Sequence, residues 1–189
     1  MKNLLIILIT LIISSCTSHS QDTTLRPNPD IHFSEIGHNK LVRAEISDKR
    51  ENKTIIGYRS DSEKKGSITN HQNISSLLKE QVARGLMRKD FFISSTSDTL
   101  VKVSLLNLEY KPLWGSLTRP SEISCTLEVS VKKNNNQKRY KRTYNKQITT
   151  KHIIFPPLAS TNEKNITLCL DGIMESMLND DKLLKIIAE

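Results

Sequence analysis

Thr99-Leu100-Val101-Lys102-Val103-Ser104-Leu105-Leu106-Asn107-Leu108-Glu109-Tyr110 is the stretch from which the fold can be read. Side chains alternate across an extended chain, so Val101, Val103 and Leu105 fall on one face of a strand. Pro112 and Trp114 mark its end. Residues 122–132 and 138–150 then read as a hairpin around Asn134-Asn135-Asn136, residue types that tolerate positive φ. Ile123, Cys125, Leu127, Val129 and Val131 give its first strand an apolar face.

Upstream, residues 41–47 alternate like a first strand. Residues 48–70 are polar, with Gly57 and Gly66, and read as a long loop holding one short extended piece at Thr54-Ile55-Ile56. Residues 74–84 predict a helix: Asn73 suits the N-cap, Ile74, Leu77, Leu78, Gln81 and Val82 share a face, and Gly85 stands where a glycine would stop it. After the hairpin, Ser160 with Glu163 resembles a capping box opening a second helix over residues 162–178. Asp180 or Asp181 then caps a short last helix through Ala188. The order β-α-β-β-β-α predicts an α+β fold, with two helices on one face of a mostly antiparallel sheet. Residues 40–189 are expected to form a single domain.

The N-terminus carries an address. Lys2 is followed by an apolar run from Leu4 to Ile13, broken only by Thr10, and then by Ile13-Ser14-Ser15-Cys16. A run this short does not cross a hydrocarbon core of ~30 Å, and charge, apolar stretch and small residues form a signal peptide. The tetrapeptide resembles the bacterial lipobox, which makes Cys16 the lipidated N-terminus of the mature chain. Several acyl chains on one cysteine anchor durably where one gives only marginal binding. Thr17 follows, where the inner-membrane retention signal would be Asp, so outer-membrane anchoring with a periplasm-facing domain is expected. Residues 16–39, rich in Ser, Thr, Asp, Asn and Pro, read as a flexible tether.

Loss of Lys2 with the signal lowers the 28 Lys and Arg by one, against 20 Asp and Glu, and leaves a formal charge of +7. In this compartment the polyanions on offer are anionic lipid, lipopolysaccharide and acidic partner surfaces, not nucleic acid. Cys125 and Cys169 remain in a compartment that permits disulfides. Both fall on apolar faces of a helix–sheet interface. A bridge needs Cα atoms about 4.4–6.8 Å apart, and a helix usually stands off a sheet by more than that. Two buried free thiols are therefore the favoured expectation over a bridge.

No enzyme is expected. His19, His32, His38, His71 and His152 are scattered with no i, i+4 pair, so neither a metal nor another cofactor is indicated. No nucleophile-elbow or phosphate-loop pattern occurs. The most suggestive surface is the basic hairpin, where Lys138, Arg139, Lys141 and Arg142 are interleaved with Tyr140 and Tyr144. It reads either as a solvated strand guarded against edge pairing or as a contact for anionic lipid or an acidic partner.

Val42-Arg43-Ala44-Glu45-Ile46-Ser47-Asp48-Lys49-Arg50, followed by Ile56-Gly57-Tyr58-Arg59, sets an Asp-x-Arg after a strand before an apolar-Gly-x-Arg. Leu77-Leu78-Lys79-Glu80-Gln81-Val82-Ala83-Arg84-Gly85 follows, and then the Tyr140 and Tyr144 strand and a C-terminal amphipathic helix. In these features, over residues 40–189, the chain resembles the YajG-like family of bacterial lipoproteins. The resemblance implies an outer-membrane or periplasm-facing lipoprotein of unassigned activity. Asp48, Arg50 and Arg59 then either order their loop or form a recognition surface. The functions expected are a non-enzymatic envelope adaptor with a membrane-protein partner, or an accessory of outer-membrane assembly or lipopolysaccharide transport.

Overall fold

The structure, a computed structural model, describes residues 19–60, 64–113, 120–133, 136–150 and 158–189, without the side chains of residues 136–139. Cys16, Trp114, Asn134 and Asn135 therefore lie outside the described residues. Its spine is the long antiparallel ribbon of β6 (Thr99–Pro112), β7 (Ser121–Lys133) and β8 (Asn136–Thr150), paired along nearly its full length. Since β7 occupies one edge of β6 throughout, two shorter strands share the other edge. β2 (Lys40–Asp48) runs parallel to the first half of β6, from Arg43↔Leu100 to Asp48↔Leu105. β3 (Ile55–Ser60) meets its far end at Gly57↔Tyr110. Beyond β2 lies β5 (Phe91–Ile93); beyond β3 lie β4 (Lys65–Thr69) and the two-residue β1 (Gln21–Asp22). The result is an 8-stranded mixed sheet in an α+β fold. Most of the expected loop at residues 48–70 is thus the β3–β4 hairpin. Its strands are too short and too rich in Gly and Ser for alternation to reveal them.

Among the described residues three helices cover one face: α1 (Ile74–Arg88), α2 (Ala159–Leu178) and α3 (Asp181–Ala188). Asn73 caps α1 by accepting from the Ser76 N–H, and Asp180 caps α3, both as expected. Gly85 does not end α1, which runs on to Arg88. It is where α1 meets α2, because a Cβ there would lie 2.5 Å from Leu178 Cδ1. No capping box opens α2 either: its N-cap is Leu158, and Glu163 instead accepts from the backbone of Thr24, 3.0 Å away. Leu78, Val82, Val103, Leu127, Ile166 and Ile173 belong to one continuous buried core.

Cys125 and Cys169 form a disulfide across this core, with Cα atoms 6.2 Å apart. This overturns the expectation of two free thiols. The helix comes close here because Gly172, one turn beyond Cys169, has no side chain: a Cβ would lie 2.8 Å from Lys146 Cε. Lys146 is the residue paired with Cys125 in the β7–β8 register.

The segment expected to be a tether is part of the domain from residue 19 onward. Residues 21–32 form an extended strap along α2, with Thr23, Leu25, Pro27, Pro29 and Ile31 buried and the residues between them turned outward. The outward residues donate their N–H groups to side chains on α2: Asn28 to Asp171 (2.7 Å), Asp30 to Glu175 (2.8 Å) and His32 to Asn179 (3.2 Å). Asn179 returns a bond to the Asp30 carbonyl. The prolines occupy buried positions in this alternation, where no N–H is needed. Local polarity therefore hid a period of two.

Candidate functional site: a strand fork and two ends of the sheet

Asp48 ends β2 and Arg50 opens the loop into β3. The Arg50 guanidinium grips Asp48 through both its Nε (2.9 Å) and Nη2 (2.7 Å), and the Arg50 backbone N–H reaches the same carboxylate. Nη2 also donates to the Lys53 carbonyl, and the Arg50 side chain is only 5% exposed. The pair therefore ties the loop across the fork where β2 leaves β6 and β3 enters. Arg50 Nη1 is buried with no hydrogen-bond partner among the described residues. Two residues into β3, Gly57 makes the re-entry sterically feasible, since a Cβ would stand 2.0 Å from the Tyr110 carbonyl oxygen. Both short motifs thus describe one junction.

The fork borders an open cleft of about 530 Å³. Its walls include Arg50 and Lys111, Glu51 and Glu109, and the Asn107 amide, so charge is balanced around it. Residues 106–109 of β6 line it on an edge where no described strand pairs with them. The chemistry on offer is hydrogen bonding to a polar occupant. Arg59 lies apart: its Nη1 donates to the His19 carbonyl at 3.4 Å and secures the start of the strap.

The basic hairpin divides between the two faces of the sheet. Lys141 is on the open face and pairs with Glu128 at 2.8 Å, and that bond holds the Glu128 carboxyl below the usual range. Tyr140, Arg142 and Tyr144 are on the helix side. Tyr144 is only 6% exposed and belongs to the core. Its hydroxyl and the Arg142 guanidinium both donate to Asp180 Oδ2, while Asp180 Oδ1 caps α3. Burial, and then the bond to Asp180, raise the Tyr144 phenol far above its ordinary range. Arg142 and Tyr144 therefore clamp α3, whereas Lys141 stays exposed on the other face. Lys138 and Arg139 lie in β8 with side chains outside those described.

Two further surfaces were not read from the sequence. The face of the sheet away from the helices is polar and laced by side-chain bonds, among them Asn107 to Ser124 (3.0 Å) and Thr126 to Asn145 (2.9 Å). The end of the molecule around β5 is apolar. Leu41 and Phe92 are exposed neighbours in the β2–β5 register, and Ile93 follows on the same strand. Phe33 and Met87 are exposed where the strap meets the end of α1, as the Ser34 N–H bond to the Arg88 carbonyl shows. Phe91-Phe92-Ile93, with apolar residues on both sides of a strand, was the available signal. Among the described residues no helix is long and apolar enough to cross a membrane, and no group of three or more His, Cys, Asp or Glu is placed to hold a metal ion.

The fold is shared with solved structures. Protein XCC0632 from Xanthomonas campestris is similar at 14% identity and a TM-score of 0.55, over 84% of this chain and 91% of that one. A putative neuraminyllactose-binding hemagglutinin homolog from Helicobacter pylori is similar at 10% identity and a TM-score of 0.53, over 86% and 96%. A minor lipoprotein from Acinetobacter baumannii gives 9% identity and a TM-score of 0.42, over 79% and 90%. At these identities the likeness to the first two is one of fold. No curated protein matches the sequence. The model of a family described as uncharacterized lipoprotein matches residues 27–188. That match takes in the second half of the strap, the strand fork, the hairpin and all three helices, and the chain therefore belongs to this lipoprotein family, the YajG family.

Proposed function

We propose that this envelope lipoprotein is a non-enzymatic adaptor, held in the outer membrane by acyl chains on Cys16 with its domain facing the periplasm. It docks a polypeptide partner at the β5 end. The observation that carries this reading is the pair of large apolar side chains exposed side by side there, Leu41 at 54% and Phe92 at 52%. Apolar groups gathered in this way mark interaction surfaces. β5 is also the last strand on its side of the sheet, and an uncovered edge is a template for strand addition. An envelope protein offering an extended apolar segment fits both features. Thr17 in place of Asp after Cys16 supports the outer membrane as the site.

The test is co-purification from detergent-solubilised envelopes of the full lipidated protein, of a Leu41→Asp/Phe92→Asp variant, and of a Lys141→Glu control. A stoichiometric protein retained by the control and lost from the double variant supports the adaptor role. A partner bound equally by all three, or none at all, contradicts docking at β5.

A further inference from the structure

From Ser20 onward the chain is fastened to the β3–β4 hairpin. Ser67 Oγ donates to Ser20 Oγ at 2.8 Å, β1 pairs with β4 through Gln21↔Ile68 and Asp22↔Thr69, and the Thr23 N–H donates to the Thr69 carbonyl at 2.8 Å. Arg59 holds the His19 carbonyl. Cys16 stands only three residues before His19. Three residues span at most about 11 Å even fully extended. Acyl chains on Cys16 enter the hydrocarbon, and the headgroup layer on each side of it takes up roughly 5–8 Å. Almost no length remains to lift the domain clear.

We infer that the anchored protein lies with its β1–β4–β3 end directly against the lipid headgroups. The exposed Lys64 and Lys65 stand at this end. From here the strap runs along α2 from Glu163 to Asn179. Those sixteen helical residues cover about 24 Å. The strap's other end is Phe33, so the apolar β5 end faces away from the bilayer, where a partner can reach it. The lipid surface and the polypeptide partner thus meet opposite ends of one rigid body.

This orientation rests on Cys16 acylation, and the experiment separates the two. Full-length protein with a fluorophore on Lys65→Cys, or on Ser95→Cys beyond β5, is purified in lipidated form with the Cys125–Cys169 disulfide intact. Each is reconstituted into phosphatidylethanolamine–phosphatidylglycerol vesicles carrying a headgroup nitroxide quencher, and mass spectrometry reads the acyl chains on Cys16. The expected result is loss of most of the emission at position 65 and little loss at position 95. Acylated protein quenched equally at both positions, or more strongly at 95, overturns the orientation alone. Protein without acyl chains overturns the anchoring reading as well.

Discussion

Asp48 and Arg50 illustrate how one interaction serves a whole junction. Their pair is buried, so removing one partner strands the other charge. Asp48→Ala is expected to cost about 3–5 kcal/mol, read as a lower urea midpoint with unchanged slope; an unchanged midpoint would show that the pair is dispensable. At Gly57 the constraint is space, and Gly57→Ala forces β3 away from Tyr110 at an expected cost of about 1–3 kcal/mol, measurable in the same titration. Asp171 carries a pH signature. Burial raises its carboxyl above the ordinary value, although the Asn28 N–H opposes the shift. The folded state therefore binds more protons at this group than the unfolded state, and its contribution to stability declines as pH rises from about 4 through the raised value. Asp171→Asn keeps an oxygen for Asn28 and is expected to flatten that slope, which urea midpoints across the carboxylate range would show. The Asp-x-Arg pairing was legible in the sequence because two residues of separation leave little room for any other geometry. The burial of Tyr144 was not, because only tertiary structure shows that α3 brings Asp180 onto that side of the strand.

Among the elements, the meander and helices were legible wherever a period persisted for two turns or several strand residues. β6, β7, β8, α1, α2 and α3 all carry such patterns, whereas β1, β4 and β5 are too short to establish one. The strap is the instructive miss. Its alternation from Thr23 to Ile31 uses two prolines as apolar residues, and proline otherwise signals an open linker. The disulfide was missed for a related reason: the glycine that lets α2 approach β8 acts through a distant residue, Lys146. Replacing both Cys125 and Cys169 by Ala opens a 44-residue loop. The chain-entropy relation puts the loss of stability at about 4 kcal/mol, to be compared with reduction of the native protein by dithiothreitol. A loss close to zero would mean that the core alone fixes this contact.

At the scale of the molecule, two cations of the basic hairpin are each matched by an acid, Lys141 by Glu128 and Arg142 by Asp180. The distinctive asymmetry is between the end formed by β1 and the β3–β4 hairpin, which we propose meets the lipid, and the β5 end with its exposed Leu41 and Phe92. Sequence reading located the family. It did not locate the apolar end, because single exposed apolar residues are common on any surface and only strand pairing sets Leu41 beside Phe92. The adaptor role is tested most directly by a photo-crosslinking residue at position 92 of the lipidated protein in living cells. The same residue at position 141, on the open sheet face, is the comparison. The expected result is one dominant envelope-protein adduct from position 92, absent from position 141 and lost when Cys16→Ala removes the anchor. Adducts from position 141 and none from position 92 would contradict the adaptor role.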